Sequence, residues 1–192
     1  MTKSPWTALP SQQCSAAAAK ANGFLGQISR AAKYRDKKTF IQLYKVYVRP
    51  HLEYCVQAWS PYWKADKDKL EKVQIRAVNM VSGLKGRSYL DKLKEVNLTT
   101  LEERRERGDM IQTFRIVQGL DKVEMGTWFK FANEREREGA VNTRLNRDTT
   151  RLVERESRYE NRRNFFGQRV PSKWNTLPEL TRQQTTFLSL NA

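Results

Sequence analysis

Carboxylate side chains could give this sequence metal-dependent chemistry, because paired aspartates can hold the two metal ions that catalyse phosphoryl transfer. Asp36 and Asp91 each stand alone and are followed directly by a lysine. Asp66 and Asp68 flank Lys67 at the predicted start of a helix. A neighbouring ammonium group would repel a metal ion in every case. We therefore expect these carboxylates to be surface charges, and we expect the chain to hold no metal and no cofactor.

Cysteine and histidine offer no second route to a metal site. Cys14, Cys55 and His51 are too few for a zinc site built from these residue types, and two cysteines make no disulfide framework. The segment Gly83–Gly86 lacks the spacing of a phosphate-binding loop. The longest alanine run is Ala16–Ala19, and no stretch approaches the length of a membrane span. Residues 1–13 lack the basic patch followed by an apolar run that marks a signal peptide, so none is predicted. We expect an intracellular protein, nuclear or cytoplasmic.

The charge of the chain points to a polyanionic partner. Among 192 residues, 36 Lys+Arg stand against 21 Asp+Glu, which gives a net charge of +15 and a pI near 10.0. Residues 1–96 carry +11 of this charge and residues 97–192 carry +4. Few folded domains tolerate so much self-repulsion without a partner, so we expect binding to RNA and DNA.

Apolar periodicity predicts a mainly α-helical fold. Ser15, Asp36, Ser88 and Thr100 precede apolar runs and are predicted to cap helices, with Glu103 completing a capping box. The predicted buried faces are Phe40, Leu43, Tyr44, Tyr47 and Val48; Leu70, Val73, Ala77, Met80, Val81 and Leu84; Leu90, Leu93 and Val96; and Leu101, Ile111, Phe114, Val117 and Leu120. The aromatic residues predicted to be core are Tyr54, Trp59, Trp63, Phe165, Phe166 and Trp174.

Breaks in this pattern predict the domain organisation. Pro50 should break or kink the second helix, and the charge run after Gly119 should end the helical region. Val141–Leu145 and Arg151–Val153 suggest a short β-hairpin. The predicted parts are a disordered leader over residues 1–14, a helical domain over 15–121, a charged linker or hairpin over 122–163, a hydrophobic terminal helix over 164–180 and a tail over 181–192.

Four stretches in order carry a resemblance to a known family. Leu43–Pro61 reads LYKVYVRPHLEYCVQAWSP and Leu70–Gly83 reads LEKVQIRAVNMVSG. The third stretch combines Tyr89–Leu98 with Leu101–Gly119, which reads LEERRERGDMIQTFRIVQG, and Phe165–Pro178 reads FFGQRVPSKWNTLP. Together they resemble the region downstream of the catalytic palm in jockey-like non-LTR retrotransposon reverse transcriptases, over more than three quarters of the chain.

The resemblance implies a helical, thumb-like bundle that grips the template–primer duplex. The parent activity is RNA-directed DNA polymerisation, which uses Mg, but the aspartates of the palm are absent from this sequence. The chain is therefore expected to be a non-catalytic fragment that works beside the palm of the parent polyprotein. It should bind RNA and DNA through the phosphates without reading sequence.

Basic residues in or near these motifs are the predicted nucleic-acid-binding residues. They are Lys45, Arg49, Lys67, Lys69, Lys72, Arg76, Arg104, Arg105, Arg107, Arg162, Arg163 and Arg169. Lys69, Lys72 and Arg76 share one flank of a helix, whereas Lys67 should point elsewhere. A solvated helix face, or ion pairing with Glu102, Glu103 and Glu106, would explain some of these residues equally well.

Two other functions fit the same sequence. One is a helical protein–protein interaction module that uses its apolar stripes. The other is an inert product of a degraded element. Salt separates nucleic-acid binding from apolar association, because binding to phosphates weakens steeply as salt rises.

Overall fold

A computed structural model describes residues 5–32, 36–132 and 150–183 and shows a mainly helical protein. The helices are α1 (Pro5–Ala31), α2 (Lys37–Leu43), a π-helical turn (Tyr44–Val48), α3 (Arg49–Glu53), α4 (Val56–Trp59), α5 (Lys64–Asn79), α6 (Tyr89–Glu95), α7 (Leu101–Val117), α8 (Met125–Trp128), α9 (Glu160–Arg163), α10 (Phe166–Asn175) and α11 (Glu179–Gln183). The chain forms two compact units, Met1–Arg105 and Glu106–Ala192. The division falls inside α7, whereas the sequence suggested a boundary near residue 121.

The first unit is organised by α1 and α5. Ser11 bonds to Asp66 at 2.5 Å and Ser15 accepts a bond from Lys69 at 2.8 Å, so the two helices run in the same direction. Small residues of α1 face the core and allow this close approach: Cys14, Ala17, Ala18 and Ala21 are all buried. The predicted helix start at Ser15 is wrong, because α1 begins at Pro5. Residues 5–14 of the predicted disordered leader are helical.

A π-helical turn explains why the predicted face of the next helix was partly wrong. The backbone N–H of Arg49 bonds to the carbonyl of Tyr44, five residues earlier, just before Pro50. Pro50 therefore accompanies a widened turn rather than a break. The fully buried residues recur every four positions, and they are Phe40, Tyr44, Val48 and Leu52. Tyr47, predicted to be buried, is exposed because the wide turn rotates it out of the core.

Three of the four predicted helix caps are confirmed, whereas Ser15 lies inside α1. The Asp36 carboxylate accepts a bond from the Thr39 N–H at 2.9 Å, and Ser88 accepts from the Asp91 N–H at 3.2 Å. Thr100 and Glu103 form the reciprocal capping box, with bonds of 3.2 and 3.3 Å. These contacts span three residues each, which is why the sequence alone could predict them.

Side-chain burial corrects several further predictions. Leu90 is exposed, because its neighbour Tyr89 faces inward and its hydroxyl bonds to Gln74 at 3.1 Å. Tyr54 and Trp63 lie on loops beside short helices and are also exposed. The other exposed residues among those predicted to be buried are Leu120 and Phe165. By contrast, Phe166 and Trp174 lie in the core as predicted.

The second unit has its own core, made of Phe114, Ile116, Phe129, Leu152, Phe166, Val170 and Trp174. Leu152 forms an isolated antiparallel bridge with Phe131. The side-chain amide of Asn175 bonds to the backbone of Leu152 as well. It accepts from the Leu152 N–H at 3.0 Å and donates to the Leu152 carbonyl at 2.9 Å. Arg151–Val153, one of the two predicted hairpin strands, thus pairs with residues 130–132. The other predicted strand, Val141–Leu145, lies outside the described residues.

Candidate nucleic-acid interface

Helix α5 separates the predicted basic residues onto two flanks. Lys67 donates to Glu102 at 2.6 Å, so its charge is balanced within the protein. Lys69, Lys72 and Arg76 lie on the other flank, as their spacing predicted. This set of three residues is called the α5 strip below.

In the α5 strip, Lys72 and Arg76 are exposed and Lys69 is half-buried. Lys69 reaches Asp66 at 3.2 Å, whereas Arg76 bonds to the amide oxygen of Asn22 at 3.5 Å. Within the described residues, neither Lys72 nor Arg76 forms an ion pair with a carboxylate. Asp68 lies one turn before Lys72, but it accepts from Lys64 at 2.8 Å. The strip therefore presents cationic groups to solvent along about 10 Å of helix.

The cations around Pro50 are held more closely by the protein. Arg49 is partly buried and lies 3.8 Å from Glu53. Burial lowers the pKa of Arg49, and the nearby Arg104 guanidinium lowers it further. Lys45 is half-buried on the π-helical turn. The His51 ring stacks on Phe24 with centroids 4.7 Å apart, which supports a packing role for that side chain.

The three arginines at the start of α7 have different environments. Arg104 forms a two-point ion pair with Glu53, with bonds of 2.5 and 3.1 Å. Arg105 is 5% exposed, and its two terminal nitrogens have no hydrogen-bond partner among the described residues. Burial lowers the pKa of Arg105. Arg107 is exposed. Of the three, Arg107 alone has a guanidinium placed to meet a phosphate from solvent.

A buried polar network joins the motifs that carry the resemblance. Gln74 of α5 accepts from the Tyr44 hydroxyl at 2.8 Å and donates to the Thr99 carbonyl at 2.9 Å. Glu71 accepts from the Tyr89 hydroxyl and from the Leu101 N–H that begins α7. The burial of Gln74 is tolerated because both the oxygen and the NH2 group of its side-chain amide are hydrogen-bonded. These polar residues fasten the first unit together.

The second unit contains a corresponding tie between motifs. Arg169 of α10 forms two 2.9 Å bonds with the Asp109 carboxylate and a third with the Asn164 carbonyl. Its guanidinium also lies over the Phe166 ring, 5.6 Å from the centroid. Arg169 was predicted to contact nucleic acid; in the structure its side chain is mostly buried and pairs with Asp109. Arg162 and Arg163 are exposed on α9.

Long-range pairing was the feature that sequence spacing missed. Glu53 and Arg104 are 51 positions apart, and Asp109 and Arg169 are 60 apart. A possible signal lay in the sequence, since each pair joins two of the quoted motifs. Among the predicted nucleic-acid-binding residues, the exposed ones are Lys72, Arg76, Arg107, Arg162 and Arg163.

No group of three or more His, Cys, Asp or Glu side chains in the described part of the chain could hold a metal ion. Within the same residues, no helix combines the length and the apolar character that crossing a bilayer requires.

Comparison with known proteins adds no relative: the chain matches no family model, no curated protein and no solved structure.

Proposed function

We propose that this chain binds template–primer nucleic acid through the phosphate backbone, as the thumb-like region beside the palm of a jockey-like non-LTR reverse transcriptase. The observation that carries the proposal is the α5 strip, whose exposed cations lie on a helix held rigidly against α1. Phosphates follow one another every 3.4 Å of rise on one strand of a duplex. The strip is long enough to meet about three of them.

The charge of the first unit supports the same conclusion. Residues 1–105 contain 20 Lys+Arg and 9 Asp+Glu, a net charge of +11. Ion pairs such as Lys67–Glu102 and Arg104–Glu53 balance single charges but leave the net charge of +11 unchanged. A surface field of this sign attracts polyanions and accelerates their encounter.

The proposed role is mechanical. The four motifs contribute the polar ties that hold the helices, and the strip contributes phosphate contacts that carry no base information. The partner is an RNA–DNA or DNA duplex of any sequence, inside the cell. Polymerisation, with its Mg ions, belongs to the aspartates of the palm.

The test is a salt titration of binding to an RNA–DNA hybrid. The variant changes Lys72→Gln and Arg76→Gln together, because neither residue supports a carboxylate and glutamine keeps the helix propensity. Each lost phosphate contact should reduce the slope of log affinity against log salt by about 0.9. Lowering salt fourfold should therefore strengthen wild-type binding about 12-fold more than variant binding.

Lys67→Gln is the matched control, since it removes one charge from the same helix but from the flank that faces Glu102. It should leave the slope unchanged, and circular dichroism should show that all variants are folded. Equal slopes for wild type and the double variant would contradict the proposal. Binding that ignores salt would favour a protein–protein module instead.

A further inference from the structure

The second unit exposes two aromatic side chains on either side of the short helix α9. Tyr159 is 75% exposed and Phe165 is 48% exposed. Phe165 stacks on Trp128 with ring centroids 5.6 Å apart and an interplanar angle of 13°. Because Phe165 retains this exposure while stacked, part of its ring is open to solvent. The stacked pair Phe165 and Trp128, together with Tyr159 at the other end of α9, is called the aromatic patch below.

The aromatic patch rests on a rigid base. Phe166 is buried and packs edge-on against Trp128, with centroids 5.9 Å apart at 71°. Gly167 approaches Trp128 so closely that a Cβ there would lie 2.7 Å from its carbonyl oxygen. A side chain at this position would push α10 away, so glycine allows the contact. The stacked pair is thus fixed before any ligand arrives, which lowers the entropy cost of binding.

Cationic side chains lie next to Tyr159 and between it and Phe165 in the sequence. Arg158, Arg162 and Arg163 are exposed, and Glu160 is the one carboxylate between residues 158 and 165. Within the described residues, Arg162 and Arg163 form no ion pair with a carboxylate. Residues 158–165 therefore have a net charge of +2. Exposed rings and exposed guanidinium groups in one short segment suit a ligand that combines flat apolar faces with negative charge.

We infer that the aromatic patch binds unpaired bases of single-stranded nucleic acid, with Phe165 and Tyr159 stacking on the bases and Arg162 and Arg163 contacting the adjacent phosphates. This inference rests on the proposed function and adds a second mode of recognition to it. A duplex hides its base faces, so the aromatic patch distinguishes single strands from the duplex that the α5 strip grips. Stacking accepts every base, because each has a flat face.

The chemistry of the patch favours a nucleic acid over an apolar protein partner. An apolar partner would leave the guanidinium groups of Arg162 and Arg163 at the interface without counter-charges. A strand of nucleic acid supplies one phosphate for each base, so it satisfies rings and arginines at the same spacing. The backbone keeps this segment compact, because the Arg162 N–H bonds to the Tyr159 carbonyl at 3.1 Å and the Phe165 N–H bonds to the Arg162 carbonyl at 3.2 Å.

Phe165→Leu and Phe165→Trp test the stacking directly. Leucine keeps an apolar contact with Trp128 but removes the flat face, whereas tryptophan preserves it. The probe is a labelled RNA strand of about 12 nucleotides, within the site sizes of single-strand binders, together with an abasic strand of equal length. Phe165→Leu should weaken binding of the intact strand roughly 5- to 150-fold, the equivalent of one stacked base. Phe165→Trp should bind as tightly as wild type.

The abasic strand separates stacking from charge. It should bind wild type and Phe165→Leu equally, because it offers phosphates without bases. Tyr159→Ala should weaken binding of the intact strand. Its matched control is Tyr54→Ala, which should leave binding unchanged because Tyr54 is 76% exposed but lies in the first unit. The inference is overturned if Phe165→Leu binds the intact strand like wild type, or if the intact and abasic strands bind wild type equally.

The two proposals fail in different ways. If the aromatic patch does not stack bases, the Lys72 and Arg76 variant still loses its salt-dependent binding of the hybrid duplex. If instead the α5 strip does not grip a duplex, hybrid binding is unaffected by that variant, while Phe165→Leu still weakens binding of the intact single strand.

Discussion

Replacing Arg169 with methionine should destabilise the protein strongly, because the change leaves a buried carboxylate without its partner. The side chains of Arg169 and Asp109 are 18% and 9% exposed, and two 2.9 Å bonds join them. Removing one member of such a pair typically costs about 3–5 kcal/mol. Methionine retains an apolar, flexible side chain beside Phe166, so the loss reports the charge more than a cavity.

Thermal and urea unfolding measure this loss. For a chain of this size, the expected cost lowers the melting temperature by roughly 6–20 °C. Burial already raises the pKa of Asp109 in the wild type, against the effect of Arg169. In the variant that pKa should rise further, so the folded state binds a proton more tightly than the unfolded chain does. The destabilisation should therefore be largest near neutral pH and shrink as the pH falls.

Two further variants complete the experiment. Arg163→Met removes an exposed arginine from the same unit and should change stability by no more than about 0.5 kcal/mol. Adding Asp109→Asn to Arg169→Met should recover part of the loss, because no unpaired charge remains buried. The reasoning fails if Arg169→Met is as stable as wild type, or if the double variant is no more stable than the single one.

Three other predictions follow from local contacts and from the sequence. Asn175→Ala should lower stability by about 1–3 kcal/mol, because it removes both side-chain bonds to the Leu152 backbone; unchanged urea unfolding would refute that role. The Thr39 N–H lowers the pKa of Asp36 below its usual 3.8, so the carboxylate cap stabilises the fold above that pH and its contribution disappears as the pH falls. Unfolding of Asp36→Ala and wild type at a series of pH values should show the stability difference closing in acid, and a constant difference would exclude the cap. Purified protein should extend no primer on an RNA template with Mg or Mn, since the sequence has no paired aspartates, and template-dependent incorporation would contradict this prediction.

Local features of the fold were predictable from the sequence, whereas features set by distant residues were not. Asp36, Ser88 and Thr100 cap helices through atoms only three positions away, and apolar spacing identified the buried face of α5. The start of α1 was missed because the bond from Ser11 to Asp66 joins residues 55 positions apart. Tyr47 was misplaced because a π-helical turn changes the helical period.

The candidate interface followed the same rule. Sequence spacing placed Lys69, Lys72 and Arg76 on one flank, and the structure agrees. It could not tell which arginines had carboxylate partners, because those partners lie elsewhere in the chain. Arg104 and Arg169 were consequently assigned to nucleic acid, although each holds an ion pair within its own unit.

The salt dependence of wild-type binding tests the central claim most directly. Fluorescence anisotropy would follow binding to two RNA–DNA hybrids of equal length and unrelated sequence over a range of salt concentrations. Phosphate contacts from all three residues of the α5 strip predict a log–log slope of about −2.7 or steeper, and equal affinities for the two sequences. A flat slope, a strong preference for one sequence, or no binding at low salt would contradict the account.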